Sequence, residues 1–215
     1  MPNWCSNRLT VFGTEHALTS FLSAAGCGDA QFSLQAFVPC PEELRSIVTG
    51  HAVIDGVSVS KWRRVEQPDG SEVSVAISAE ELQGYLDQYG ATNWYDWQVN
   101  NWGTKWDVDA NVDENVEDGE AVITFDSAWS PPTAFMDSLA QMFSSLRFVL
   151  DYAEPGVCFG GRRVYEGGQC VEFTETSDNA STRHISPWHD EVLGFDDEEE
   201  QDSDTDEDDD IEGGE

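Results

Sequence analysis

Four of the eight tryptophans fall within thirteen residues, at Trp94, Trp97, Trp102 and Trp106. Trp102 and Trp106 lie within the phrase Asn101-Trp102-Gly103-Thr104-Lys105-Trp106-Asp107, which holds one of only two lysines in the chain. Such a cluster either packs as a small local core, each indole N–H finding a partner, or forms a flat surface for stacking or peptide binding. Aromatics at this density usually pack. In that arrangement Gly103 allows a tight turn and Lys105 pairs with Asp107. Stacking of nucleic-acid bases also calls for a basic groove, which a chain with 10 Lys+Arg against 43 Asp+Glu does not supply.

Other chemistries find less support. Asn3, Trp4 and Cys5 precede the first strand and Asn7 opens it, but no histidine lies near Cys5 in sequence to activate its thiol. His16, His51, His184 and His189 form no metal-ligand spacing with a cysteine pair. Asp107-x-Asp109-x-Asn111-x-Asp113 spaces oxygen ligands like a calcium loop. However, Val112 stands where the sharp turn needs glycine, and Asp118 where a bidentate Glu belongs. Gly160-Gly161 and Gly167-Gly168 read as hairpin punctuation, since neither opens a helix after a strand as a phosphate loop does. No catalytic residue, metal ligand or cofactor-binding residue is assigned.

The 215 residues suit one domain with an insertion, or two small ones. The net charge is −33, and Asp196–Glu215 hold fourteen acids and no base. Residues 1–195 still carry 29 acids against ten bases, so the body is acidic in its own right. That balance disfavours direct binding to nucleic acid or to an anionic membrane and favours basic partners. It also suits salt adaptation or plain solubilisation. The five cysteines have no CxxC spacing, and neither a secretory leader nor a membrane-spanning apolar run is evident. The expectation is a reduced, cytoplasmic setting.

The elements that must position these residues follow from the periodicity. Asn7–Phe12 alternates as a strand, and Thr14 caps a helix from Glu15 to about Ala25. Phe32–Val38 reads as a second strand and Pro41–Val48 as a short helix. Val57–Val65 and Glu72–Ile77 form a hairpin about Pro68-Asp69-Gly70. Ser78 caps a helix to Gly90, with Glu81 at the capping-box position. The tryptophan block follows, then an acidic loop over Asp107–Glu120. The last third repeats the first: a strand over Glu120–Ser127, a helix over Ala134–Leu146 and a strand over Arg147–Ala153. A hairpin of Val157–Tyr165 and Gln169–Thr174 follows. This predicts an α+β, ferredoxin-like split β-α-β sandwich over residues 1–175 with a central insertion at about 41–118 and a C-terminal β-hairpin. A polar linker (176–195) and a disordered acidic tail (196–215) complete it. Helices cover one sheet face, and the insertion or the tryptophan block is expected to cover the other.

Several ordered motifs resemble the YubB ferredoxin-like family. They are Met1-Pro2-Asn3-Trp4-Cys5-Ser6-Asn7, Phe37-Val38-Pro39-Cys40-Pro41-Glu42-Glu43-Leu44, the Asn101–Asp107 phrase, Ala128-Trp129-Ser130-Pro131-Pro132, and Tyr152-Ala153-Glu154-Pro155-Gly156 with Phe159-Gly160-Gly161. The chain departs from that pattern at Cys40, where the family usually carries Met or a similar apolar residue, and in the acidic tail. The resemblance implies a ferredoxin-like fold, without an iron–sulfur cluster, in a protein carried by phages or conjugative plasmids. The expected role is non-enzymatic: contact with a basic host protein in the cytoplasm, in its sharpest form as an acidic decoy of nucleic acid. Alternatives are a small enzyme using Asp107, Glu154 and Lys105 in a pocket between sheet and insertion, and charge that serves salt adaptation alone. The candidate interaction residues are Asn3, Trp4, Asn7, Asn101, Trp102, Gly103, Thr104, Lys105, Trp106, Asp107, Trp129, Ser130, Pro131 and Glu154.

Overall fold

The computed structural model describes residues 2–48, 52–54, 57–59 and 62–193. In chain order its elements are β1 (Trp4–Phe12), α1 (Glu15–Ala25), α2 (Leu34–Phe37), α3 (Glu42–Arg45), β2 (Ile47–Val48), β3 (Ala52–Ile54), β4 (Val57–Val59), β5 (Trp62–Glu66), β6 (Glu72–Ala76), α4 (Ala79–Tyr89) and α5 (Trp94–Trp102). Then come β7 (Ala110–Asn115), a 3-10 turn (Val116–Asp118), β8 (Glu120–Ala128), α6 (Thr133–Met142), β9 (Arg147–Glu154), β10 (Phe159–Glu166), β11 (Gln169–Thr176), α7 (Asn179–Arg183) and α8 (Pro187–Leu193).

One antiparallel sheet organises the molecule, in the order β11-β10-β9-β1-β8-β7. The four strands at one end of it run β9-β1-β8-β7. With α1 after β1 and α6 after β8, this is the β-α-β-β-α-β path of a ferredoxin-like domain. Strand alternation sets the two faces. Cys5, Asn7, Leu9 and Val11 of β1 point under the helices and are buried, as are Ala121, Ile123 and Phe125 of β8 and Phe148, Leu150 and Tyr152 of β9. Leu18 and Phe21 of α1 and Phe135, Met136 and Leu139 of α6 close that core from above. The sequence-predicted β1, α1, β8, α6 and β9, and the hairpin β10–β11, are all present.

Four expectations about the first two-thirds of the chain are corrected. Phe32–Val38 is not a strand. It contains the single-turn helix α2, because Ser33 Oγ accepts from the Gln35 N–H and the distant Asp107 carboxylate accepts from Leu34 and Gln35 N–H. These bonds satisfy the free donors of the first turn. The second strand of the sandwich is β7, inside the expected acidic loop. Its residues pair with β8 from Ala110↔Phe125 to Asn115↔Glu120, while Val112 and Ala110 pack on the core. The segment between α1 and β7 is therefore 26–109 rather than the expected 41–118. That segment does not cover the second sheet face either. Phe32, Leu34, Leu44, Trp97 and Trp102 join the core on the helical side.

The second face carries α7 and α8, where a polar linker was expected. Asp178 caps α7 through the Ser181 N–H, and α8 packs on β9. The acidic tail at 196–215 lies outside the described residues. Between the open face and α8 is a cavity of about 390 Å³ lined by Arg8, Arg147, Asp151, Arg162, Glu172 and Trp188 among others. His189 anchors α8 there, fully buried. Its Nε2–H donates to the carbonyls of Gly161 (3.0 Å) and Tyr152 (3.2 Å), and its Nδ1 accepts from Ser186 Oγ at 2.8 Å.

Burial lowers the pKa of His189 from its ordinary 6.5, against the pull of Asp151 and with help from Arg162. As pH falls through about 6.5 the unfolded chain takes up a proton that the folded chain resists. The stabilisation from this buried, neutral ring is thus fully present above that pH and declines below it. Urea midpoints of the native chain and of His189→Gln, whose amide can still donate to the two carbonyls, should differ most at pH 7.5. The gap should narrow by pH 5.5. A gap that widens on acidification contradicts the assignment.

Candidate functional site

The tryptophan block divides between core and surface. Asn93 caps α5, its Oδ1 accepting from the Asp96 N–H at 3.0 Å. The helix then turns Trp97 and Trp102 inward, 7% and 1% exposed, with their rings edge to face at 6.0 Å. The Trp102 indole N–H donates to the Val38 carbonyl at 2.8 Å. Gly103 ends the helix in the left-handed region at φ 85°, pressed against the start of α6. A Cβ there would lie 3.1 Å from Thr133 N and 3.3 Å from the Pro131 carbonyl oxygen, so only glycine fits without displacement.

Beyond Gly103 the chain is fixed to the β8–α6 corner. Thr104, itself buried, donates to the Ala128 carbonyl at 3.0 Å, and Ser130 Oγ donates to the Gly103 carbonyl at 2.6 Å. At the same corner Ser127 Oγ donates to the Ser130 carbonyl, and the Trp129 N–H donates to the carbonyl of Asn3. Pro131 is buried behind this turn. These bonds hold Trp129 at φ 69°, a backbone conformation that a bulky residue rarely adopts and that costs on the order of 1–3 kcal/mol.

The result is an outward-facing aromatic patch. Trp4, Trp106 and Trp129 are 47%, 37% and 42% exposed. The rings of Trp4 and Trp106 lie 6.1 Å apart, and those of Tyr95 and Trp129 lie 6.3 Å apart. Lys105 does not pair with Asp107 as expected. Its ammonium sits among three rings, 4.3 Å from the centroid of Trp106, 5.0 Å from Trp129 and 5.7 Å from Tyr95. Asp107 instead serves α2 and the following backbone N–H of Val108.

The patch borders an acidic groove. Trp4 pairs with Ala128 and Ser6 with Asp126, so one step of about 7 Å along β1 leads from the rings to a cavity of about 260 Å³. Its charged lining residues are Asp109 and Asp126, without a base. Asp109, Asn111 and Asp113 lead into or lie on extended β7, not on a loop that could wrap round an ion.

The remaining candidates have structural tasks. Asn7 is buried, its amide donating to Ser127 Oγ and the Cys5 carbonyl. Asn101 donates to the Trp97 carbonyl. The Glu154 carboxylate, 1% exposed, accepts from the backbone N–H groups of Gly156 and Val157, while Asn3 lies nearby on the surface. With Asp107 and Glu154 engaged at separate caps and Lys105 among rings, the three do not form one acid–base set. Burial, aided by Glu154, raises the Cys5 thiol far above its usual range, and burial pushes Cys40 up to about 11. Neither is a ready nucleophile. Ser186, His189 and Asp151 also cluster, but Ser186 and Asp151 both approach Nδ1 while Nε2 is spent on carbonyls. A catalytic triad needs its serine and its carboxylate on opposite nitrogens.

A model of the ferredoxin-like domain in Api92-like proteins matches residues 101–212, more than half of the chain. The chain belongs to that family. The Api92-like match starts at the Asn101–Asp107 phrase and takes in Trp129 and Glu154, and β1 completes its sheet from outside the matched stretch. Among solved structures, the crystal structure of protein api92 from Yersinia pseudotuberculosis is similar at 13% identity. That similarity covers 82% of this chain and 98% of that one, with a TM-score of 0.46. No curated protein matches the chain.

Sequence reasoning missed two features, the three-ring surround of Lys105 and the inclusion of Tyr95 in it. The one local signal for Tyr95 is its four-residue spacing from Val99, which puts both on one face of the Trp94–Trp102 helix. The division of the block predicts opposite responses to substitution. Trp129→Gly releases backbone strain and should leave thermal stability within about 1 kcal/mol of native. Trp102→Ala should cost about 3–5 kcal/mol in urea unfolding. Equal losses at the two sites would mean that the patch is core.

Proposed function

We propose that this chain is a non-enzymatic accessory protein that binds a basic protein through its exposed tryptophan patch and the acidic groove beside it. The single observation that carries this reading is the grouping of Trp4, Trp106 and Trp129 on the surface, one of them held in a strained backbone. Exposed tryptophan is costly to keep in water and is enriched where binding energy concentrates at protein interfaces. Trp129 holds its ring out although its backbone would relax with glycine, which suits a ring kept for contact.

Charge supports the sign of the partner. The patch opens on Asp109 and Asp126 in a body already rich in acid. Such a field speeds the approach of a basic surface and repels phosphate backbones. We extend the reading to the setting that the YubB resemblance implies, a phage- or plasmid-borne protein in the host cytoplasm. Its sharpest form is an acidic decoy that occupies the nucleic-acid-binding groove of a host protein. Within this reading the chain itself binds no nucleic acid and needs no cofactor.

Tagged full-length chain should capture a basic nucleic-acid-binding protein from host lysate at low salt. Capture should fall steeply between 50 and 200 mM salt (about tenfold or more), be competed by added DNA, and be lost in the Trp106→Ala, Trp129→Ala double variant. Absence of any basic protein, or capture indifferent to loss of both rings, overturns the proposal.

A further inference from the structure

We propose that Tyr95, Trp106 and Trp129 form a socket for an organic ammonium group, which Lys105 occupies in the free protein and a lysine side chain of the partner takes over in the complex. The inference rests on the reading above for the basic nature of the partner, and it names the chemical group that the patch recognises.

The geometry is that of an aromatic cage. Three rings, two of them tryptophan, lie within 6 Å of one ammonium nitrogen. Each ring face attracts a cation through its quadrupole, tryptophan most strongly. Tyr95 and Trp129 meet edge to face at 6.3 Å, an arrangement that keeps two walls at an angle instead of closing them on each other. Trp4 leans on Trp106 from outside at 39° and extends the same wall. The walls are fixed from behind, Trp129 by the Asn3 carbonyl and its neighbours Ala128 and Ser130 by Thr104 and Gly103. Tyr95 stands on the first turn of capped α5.

The occupant is bound less firmly than the walls. No carboxylate lies within salt-bridge distance of Lys105 among the described residues, and no hydrogen bond from its ammonium is recorded among them. Its four-carbon stem is flexible, so the ammonium can swing into water at small cost while the rings stay in place. An incoming lysine ammonium would then meet the three vacated ring faces, with Asp109 and Asp126 in the adjoining groove to pair with further basic residues of the same partner. Lys105 is thus a built-in competitor that sets a threshold for binding, so that its removal strengthens the site.

The test uses tetramethylammonium chloride as the probe, against sodium chloride at equal ionic strength, with tryptophan fluorescence of the full chain as the readout. Lys105→Gln should bind the probe about tenfold more tightly than the native chain. Trp106→Ala in the Lys105→Gln background should remove that gain while circular dichroism stays native. A lysine-containing peptide should compete with the probe, and the same peptide with norleucine for lysine should not. Equal probe affinity in native and Lys105→Gln chains, or a gain that survives Trp106→Ala, overturns the socket. If the socket fails in this way while partner capture still depends on Trp106 and Trp129, the patch binds through apolar contact and the wider proposal stands. If capture fails and the socket holds, the wider proposal falls alone.

Discussion

The hydrogen bond from the buried Trp102 indole to the Val38 carbonyl, 2.8 Å long, ties the exit of the insertion to its entrance. A tryptophan this deep must satisfy its N–H, and a carbonyl just after a single-turn helix has no helical partner. Each group answers the need of the other. A second tie lies beside it: Asp107, five residues on, caps α2 at the same entrance. The insertion is in effect a long loop closed at its neck by one aromatic and one acid. The ferredoxin-like sheet can carry it because the neck packs on the helical layer and leaves the strand pairings intact.

The surface follows from the neck. With Trp102 held inside and Gly103 turned against α6, Thr104 can only face Ala128, and Lys105 and Trp106 emerge beside Trp129 and Trp4. Chain segments distant in sequence, the N-terminus, the end of the insertion and the β8–α6 corner, thereby meet at one end of the sheet. The polar residues of the phrase are mostly consumed in making this junction. What it delivers to solvent is aromatic, with one cation in the middle.

Much of the fold was legible because it is written in local pattern. The alternation of β1, β8 and β9 and the caps Thr14 and Ser78 need no distant partner to be read, and the elements they mark are present. The misreadings occur where a distant residue decides. Phe32–Val38 looks like a strand until Asp107 supplies the cap that bends it into α2. Ala110–Asn115 looks like an acidic loop because only Ala110 and Val112 face inward from it, and pairing with β8 is what makes it a strand. The short helix α8 is anchored by a buried histidine whose partners are backbone carbonyls of β9 and β10, which composition cannot display. At the site the same rule holds. The sequence pointed to the right block and to Trp4 and Trp129, but not to Tyr95, because the ring surface exists only when Tyr95 and Trp129 are brought to Lys105 and Trp106, and Trp4 to Trp106.

The claim beneath all of this is that the tryptophans divide into a buried anchor and an exposed face. Solvent relaxation of the indole N–H signals by a soluble, uncharged paramagnetic agent reads that division directly, one signal per ring. The account predicts strong broadening of Trp4, Trp106 and Trp129 and protection of Trp97 and Trp102, with Trp102 the most protected. Broadening of Trp102 comparable to that of Trp106, or protection of all five, would contradict it.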